Sequence, residues 1–365
     1  MRHYKQHFKD KTVFCNCDDP FESNFFKYFA INFNHLGLKK LICTCYAGSP
    51  VSYTEFNDLP LFHKDEKLPY KIEITEVPDL NGDGATDLSD IELLLKSSNN
   101  NLTILDGDGD FRSEESVEFL KESDIVVTNP PFSLFREYIM QLVKYDKKFL
   151  IIGNPNALHY KEVFPLVKEN KIWVGHKSMS ADMLFNVSEE FGKWLVNNKR
   201  QGSGYRIIDG EIKGRAQAIW FTNLDIEKRH ENLILYKHYN PIDYPKFDNF
   251  DAININKVTD IPCDYDGFMG VPDSFMDSYN PAQFEILGRS GDTEWVFNEC
   301  TFFTPPPDER ISFYKKYNRT WRLQNVYLLD ENKLPVIVYS RLFIKRRTNE
   351  NWASKNQNQR CIWWL

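Results

Sequence analysis

Asp124-Ile-Val-Val-Thr-Asn-Pro-Pro-Phe132 is the stretch on which the fold turns. Ile125 to Thr128 run without a charged residue, as in a strand buried on both faces. The strand delivers an asparagine, two prolines and a phenylalanine to one place, and residues 132–143 continue with helical spacing. Two successive prolines fix φ and lack N–H donors, so the turn is stiff and its carbonyls stay open to accept hydrogen bonds. An asparagine oxygen beside such a carbonyl makes two acceptors aimed at one point, which suits an exocyclic amino group. With both protons of an –NH2 held that way, the nitrogen lone pair leaves conjugation with its ring and can attack an electrophilic methyl. Phe132, one residue on, supplies a face on which a base stacks.

On either side of this stretch, similar apolar runs lie at residues 12–17 (TVFCNC), 40–46 (KLICTCY), 102–105 and 148–153 (KFLIIG), with further strands at 171–174 and 217–222. Residues 21–33 read as another crossover helix. This alternation predicts an α/β fold with a doubly wound parallel sheet. Beyond about residue 230 the alternation is lost, which predicts two domains, 1–230 and 231–365. In such a sheet ligands bind outside the carboxyl ends of the strands. Those ends read Asn16-Cys-Asp-Asp-Pro20, Tyr46-Ala-Gly48, Asp106-Gly-Asp-Gly-Asp-Phe111, Asn129-Pro-Pro-Phe132 and Asn154-Pro-Asn156, dense in carboxylates, amides and glycines.

The 365 residues are 42% hydrophobic and 27% charged, enough for a substantial core. No run of about 18 apolar residues occurs and the first residues, MRHYKQHFKDK, are polar and basic, so the expectation is a soluble, cytoplasmic protein without a membrane span. It is expected to act as a monomer. Seven cysteines, with Cys15/Cys17 and Cys43/Cys45 inside apolar runs, read as reduced thiols. The net charge of −7 argues against a nucleic-acid partner until it is divided: residues 301–365 carry 12 Lys and Arg against 5 Asp and Glu, residues 1–300 carry 33 against 47. The basic tail interleaves aromatics with Lys315, Lys316, Arg319, Arg322, Arg341, Lys345, Arg346 and Arg347, which are the candidates for phosphate contact. The competing reading of this tail is an ordinary solvated face.

The stretch around Asn129 resembles the catalytic motif of amino-group DNA methyltransferases, Asp/Asn/Ser-Pro-Pro-Tyr/Phe, in the form typical of adenine N6 enzymes. Together with Gly107–Ser113, TNPPFSLFREY (128–138), FLIIGNPNALHYKEVFP (149–165) and GFMGVPDSFMDSYNPAQFEILG (267–288), it resembles the EcoRI-type family of adenine-specific methyltransferases over roughly residues 10–350. The resemblance implies a Rossmann-like, seven-stranded methyltransferase sheet with a carboxy-terminal α+β DNA-recognition domain. It implies S-adenosyl-methionine as methyl donor, double-stranded DNA as substrate and N6-methyladenine as product; whether a cognate restriction endonuclease acts separately as a partner is left open by the sequence. Asn129, Pro130, Pro131 and Phe132 become the catalytic candidates, with Asn129 also beside the cofactor. Asp110 and Phe111 match the Asp-Phe element that holds the cofactor's adenine, and Asp108 precedes them. The usual glycine-rich first loop is absent. The first strand ends instead in Asn16-Cys-Asp-Asp-Pro20, and Asp18 and Asp19 suit a cationic sulfonium and an α-amino group as they would not suit a pyrophosphate. The second strand ends at Tyr46 where an acidic residue is usual, and Asn16 and Tyr46, at the ends of these two strands, complete the cofactor-binding candidates.

One segment competes. Asp79-Leu-Asn-Gly-Asp-Gly-Ala-Thr-Asp-Leu-Ser-Asp90 places oxygen donors Asp79, Asn81, Asp83, Asp87 and Asp90 at calcium-loop positions with Gly84 at the sixth. The alternative for this segment is a set of Asx turns capping a helix. A calcium site here would support a different function, a catalytically inactive, calcium-binding DNA-binding module on a methyltransferase fold. Methylation of glutamine amides or RNA bases through the same motif is a third reading, disfavoured by the resemblance. No P-loop, Gly-x-Ser-x-Gly elbow or His-Glu-x2-His helix is present, which weighs against nucleotide hydrolysis, esterase and zinc-protease chemistry. His159 and His176 are assigned no role.

Overall fold

The computed structural model describes residues 1–17, 20, 23–47, 69–84, 86–97, 102–290, 307–317 and 326–347. They divide into two compact units, Met1–Ile226 and Glu227–Leu365. The strands described in the first unit are β1 (Thr12–Cys15), β2 (Lys40–Thr44), β3 (Tyr70–Ile74), β4 (Leu102–Ile104), β5 (Ile125–Thr128), β6 (Lys148–Gly153), β7 (Trp173–Val174), β8 (Met183–Asn186), β9 (Tyr205–Ile208), β10 (Glu211–Ala216) and β11 (Ile219–Thr222). The α-helices among the described residues are α1 (Asn24–Ile31), α2 (Phe33–Leu36), α3 (Leu88–Ser97), α4 (Glu114–Glu122), α5 (Phe135–Lys144), α6 (Phe164–Lys168), α7 (Glu189–Asn198) and α8 (Pro307–Tyr317).

Eight strands form one sheet in the order β4-β3-β2-β1-β5-β6-β11-β7. Its centre is parallel: Val13 of β1 lies beside Leu41 of β2 and Ile125 of β5, and Thr128 of β5 beside Ile151 of β6. β3 runs antiparallel to β2 and β4, and β11 antiparallel to β6 and β7. The sheet is therefore mixed and eight-stranded, where the sequence reading expects a parallel, seven-stranded one. Burial accounts for part of the difference. β1 and β5 are buried throughout, the signature of central parallel strands, whereas Tyr70–Ile74 alternates buried and half-buried residues, as a strand nearer the edge does.

Helices cover both faces of the sheet. Val13 and Cys15 share a core cluster with Phe26 and Phe29 of α1, while Phe14, pointing the other way, meets Phe119 of α4 edge-on at 6.4 Å. Local chemistry sets the helix starts. The Ser23 hydroxyl accepts from the Phe25 and Phe26 N–H groups at the head of α1, and Ser113 accepts from Ser116 at the head of α4. α5 buries Phe135, Tyr138, Ile139 and Leu142, the i, i+3, i+4, i+7 stripe of a helix laid on a sheet. Phe135 also explains Gly153 at the end of β6, because a Cβ there would come within 2.4 Å of its ring.

Between β7 and β11 the chain makes a separate three-stranded sheet, β8-β10-β9, with α7. The sequence reading places no element there. The second unit contains β12 (Lys246–Phe247), β13 (Phe250–Asn254), β14 (Met269–Val271), β15 (Phe284–Arg289), β16 (Tyr327–Leu329), β17 (Pro335–Ile337) and β18 (Leu342–Arg346). Five of these form a sheet in the order β12-β13-β14-β18-β15, and β16 and β17 pair as a hairpin. Phe247, Phe250, Ala252, Val326 and Phe343 form a core in this unit. No helix among the described residues is long and apolar enough to cross a membrane.

Candidate active site and nucleic-acid interface

The strand order reverses between β1 and β5, which is where a doubly wound sheet opens a ligand crevice beyond its carboxyl ends. Asn16, immediately after β1, ties this crevice together. Its backbone carbonyl accepts from the Thr128 hydroxyl at the end of β5, and its side-chain Oδ1 accepts from the Tyr138 phenol of α5 at 2.6 Å. Asn16 is 4% exposed and Tyr138 is fully buried. Both oxygens of Asn16, a cofactor candidate in the sequence, thus brace the crevice. Cys17 follows with φ 74°, the left-handed conformation that glycine favours. The turn out of β1 thus keeps a glycine-like path without a glycine. Asp18 and Asp19 lie outside the described residues.

The second wall is the loop after β4. Gly109 has φ 76°, and a Cβ on it would meet the Cys45 carbonyl oxygen at 2.2 Å, so only glycine lets this loop lie against the end of β2. The Ala47 N–H donates to the Asp108 carbonyl at 3.0 Å, which brings Tyr46, itself 40% exposed, beside Asp108. Asp110 is held by Arg112: its Oδ1 accepts from Nε at 2.9 Å and its Oδ2 from Nη2 at 2.8 Å. The guanidinium keeps the Asp110 carboxyl below the usual carboxylate range. Phe111 is buried, meets Tyr138 edge-on at 5.0 Å, and its carbonyl accepts from Gln141 Nε2 at 3.0 Å. Four of the sequence-predicted cofactor residues, Tyr46, Asp108, Asp110 and Phe111, therefore share one wall.

Asn129 begins the third element. It is exposed, Pro130 is buried, Pro131 is exposed and Phe132 is exposed to 41%. The turn continues directly into a 3-10 segment, Phe132–Leu134, closed by the Leu134 N–H on the Pro131 carbonyl at 2.9 Å, and then into α5. Phe132 borders a cleft of about 600 Å³ lined also by Met140, Tyr160 and Glu162. Arg136 stands 4.3 Å over the Tyr160 ring on its wall. Sequence reasoning missed Tyr138 and Gln141, which connect these elements. Their signal is polar side chains three residues apart on one face of the helix that follows the motif.

The Asp79–Asp90 segment has another use. Asp79 accepts from the Gly82 and Gly84 N–H groups, Asn81 from Asp83, Asp87 from Ser89, and the fully buried Asp90 from Leu80, Asn81 and Asp87. These are the Asx turns of the alternative reading, with Asp87 and Asp90 at the head of α3. Among the described residues, the side chains that gather metal-type ligand atoms within 4.8 Å of one another are His238, Cys263 and Asp264, in the second unit.

The basic candidates of the tail separate by environment. Arg341 is 6% exposed and donates to Asn254, Asn256 and the Tyr339 and Ser340 carbonyls, so it braces the second unit's sheet and is corrected from a phosphate contact to a structural residue. Burial holds its pKa below that of a free guanidinium. The Arg346 side chain is only 12% exposed, 3.6 Å from Asp266. Lys316 pairs with Asp330 at 2.9 Å and Lys345 lies 5.5 Å over the Phe268 ring. Lys315 and Arg347 face solvent. Arg319 and Arg322 lie outside the described residues.

A mixed α/β sheet with a rigid Asn-Pro-Pro-Phe turn at its switch point, facing a Tyr46–Phe111 wall, defines a methyltransferase-type site. The chain belongs to the family of adenine-specific methyltransferases of the EcoRI type, whose family model matches residues 1–347. It is 46% identical to the type II methyltransferase M.EcoRI of Escherichia coli over 316 residues, 83% of this chain and 87% of that protein. It is 39% identical over 290 residues to the type II methyltransferase M.MgeORF184P of Mycoplasma genitalium, covering 78% of this chain and 77% of that one. With M.MpnI of Mycoplasma pneumoniae the identity is 36% over 290 residues, 78% and 76% of the two chains. No solved structure matches the chain.

Proposed function

We propose that this protein methylates N6 of an adenine rotated out of a specific site in double-stranded DNA, in the manner of a type II modification enzyme. The observation that carries the reading is the placement of Asn129-Pro130-Pro131-Phe132 at the sheet's switch point, across the crevice from Tyr46, Asp108, Asp110 and Phe111. The donor set fits S-adenosyl-methionine: carboxylates suit its amino groups, an aromatic wall suits its adenine, and no phosphate-binding glycine loop is needed. When bound, that cofactor supplies an electrophilic methyl on a sulfonium sulfur.

The chain's own residues do the rest. The Asn129 carboxamide oxygen and the Pro130 carbonyl accept the two N6 protons and localise the nitrogen lone pair. Phe132, exposed before a base arrives, stacks on the adenine face. A base paired inside a duplex cannot reach this turn, so the nucleotide must be flipped out. The surplus N6 proton left after methylation is held at the same two oxygens and passes to water. Asn16, Tyr138 and Gln141 keep the walls in register while this happens. The α+β unit after Ile226 reads the target sequence, with Lys315 and Arg347 as phosphate contacts.

The test is methyl transfer from labelled cofactor into duplexes of varied sequence. N6-methyladenine is the expected product, and Asn129→Ala is expected to lower kcat by about 10²-fold or more while leaving S-adenosyl-homocysteine affinity within about twofold. Methylation of protein alone, or an Asn129→Ala variant of wild-type rate, overturns the proposal.

A further inference from the structure

The segment between β7 and β11 is a folded element on the sheet edge that carries Asn129. β11 begins at Ile219, opposite Gly153, the last residue of β6. β7 runs antiparallel to β11, and the Gly175 N–H donates to the Trp220 carbonyl at 2.8 Å. The chain therefore leaves and rejoins the sheet at the carboxyl edge of β5 and β6, the edge that carries Asn129. β11 stands two strands from β5, about 10 Å at the usual strand spacing.

The element is internally braced. Asp182 pairs with both Arg206 and Arg215, and Gly214 lies under the Phe185 ring, where a Cβ would come within 2.5 Å of it. What it exposes is unusual. Phe191 and Trp194 of α7 stack at 5.4 Å with 8° between their planes, and Trp194 is 46% exposed. Lys199 stands 5.6 Å over the Trp194 ring, and Arg200 follows it at the exposed end of the helix. Ile207 of β9 is 50% exposed. A groove of about 510 Å³ runs between α7 and β10, where Lys193 pairs with Glu189 and Lys213 with Glu211, so the cations left beside the aromatic face are Lys199 and Arg200. The charge changes sign with the element: residues 1–174 carry 20 Lys and Arg against 27 Asp and Glu, while residues 175–218 carry 7 against 5. Cations set beside stackable aromatic faces on a braced scaffold are the composition of a nucleic-acid surface.

We propose that residues 175–218 form a second duplex-binding element, which grips the DNA flanking the target adenine through Lys199, Arg200 and the Phe191–Trp194 face. This rests on the DNA-methyltransferase reading above. It adds to the carboxy-terminal unit a contact built into the catalytic one.

The test compares the full-length protein with Lys199→Glu/Arg200→Glu and with Trp194→Ala. Duplex affinity, its salt dependence, cofactor-product affinity, methylation rate and sedimentation are measured for each. The charge-reversed variant is expected to bind duplex at least about tenfold more weakly, with a salt slope flatter by about two, at unchanged S-adenosyl-homocysteine affinity and melting temperature. Trp194→Ala is expected to weaken duplex binding about fivefold or more with the slope preserved. Unchanged duplex affinity and slope in both variants, beside a wild-type protein that methylates adenine, overturn this proposal alone. A wild type that binds S-adenosyl-homocysteine and methylates no DNA overturns the functional reading itself. Loss of self-association with duplex binding intact makes the face a contact between copies of the chain and likewise overturns the proposal.

Discussion

Replacing Tyr138 by phenylalanine removes one oxygen atom and tests how the crevice is held. The phenol donates at 2.6 Å to Asn16 Oδ1, and both residues are buried, at 0% and 4% exposure. The substituted ring would keep the packing against Phe111, so the loss is confined to the hydrogen bond. A buried acceptor left without its donor costs about 1–3 kcal/mol. At about 2 kcal/mol a unit of this size should melt about 4–8 °C lower. The Asn16 carbonyl also receives the Thr128 hydroxyl, so loosening this residue frees the end of β1 from the end of β5. Cofactor-product affinity should therefore fall about fivefold, with kcat at saturation less affected. Urea denaturation and calorimetric titration of S-adenosyl-homocysteine measure the two effects. A cycle with Asn16→Ala isolates the pair, and its coupling should exceed about 0.5 kcal/mol. Coupling below about 0.3 kcal/mol, with unchanged cofactor-product affinity, would refute the bracing role.

Two further perturbations follow from backbone geometry. Gly109→Ala places a Cβ 2.2 Å from the Cys45 carbonyl at a φ of 76°, and neither backbone has a side chain that can yield. The loop should leave the end of β2, weakening S-adenosyl-homocysteine binding by about tenfold or more while Phe132-dependent base stacking, read with a 2-aminopurine duplex, survives. If Asp79–Asp90 serves only as Asx turns at the head of α3, calcium up to about 1 mM should leave the melting temperature unchanged. A rise of several degrees would return the segment to a cation-binding role.

The Asn-Pro-Pro-Phe turn is legible in the chain because its stiffness and its strand are local. Asn129 to Phe132 follow a strand whose burial is written in consecutive apolar residues, and the stiffness of the turn comes from proline itself. Tyr46, Asp108, Asp110 and Phe111 can be found as strand ends. Their convergence cannot, because it depends on a hydrogen bond from Ala47 to Asp108 across two strands and on the absence of a Cβ at Gly109.

Periodicity and the covalent properties of a few neighbouring residues were enough to set the sheet's parallel centre, the succession of its strands other than β3 and the identity of the Asn-Pro-Pro-Phe turn. Strand direction at β3 and β11, the partners of Asn16, the burial of Arg341 and the position of residues 175–218 on the sheet edge that carries Asn129 came from tertiary packing alone. Those depend on contacts between residues far apart in the chain. Tyr138 meets Asn16 across 122 positions, and no local pattern encodes such a pairing until the packing of α5 on the sheet closes the distance.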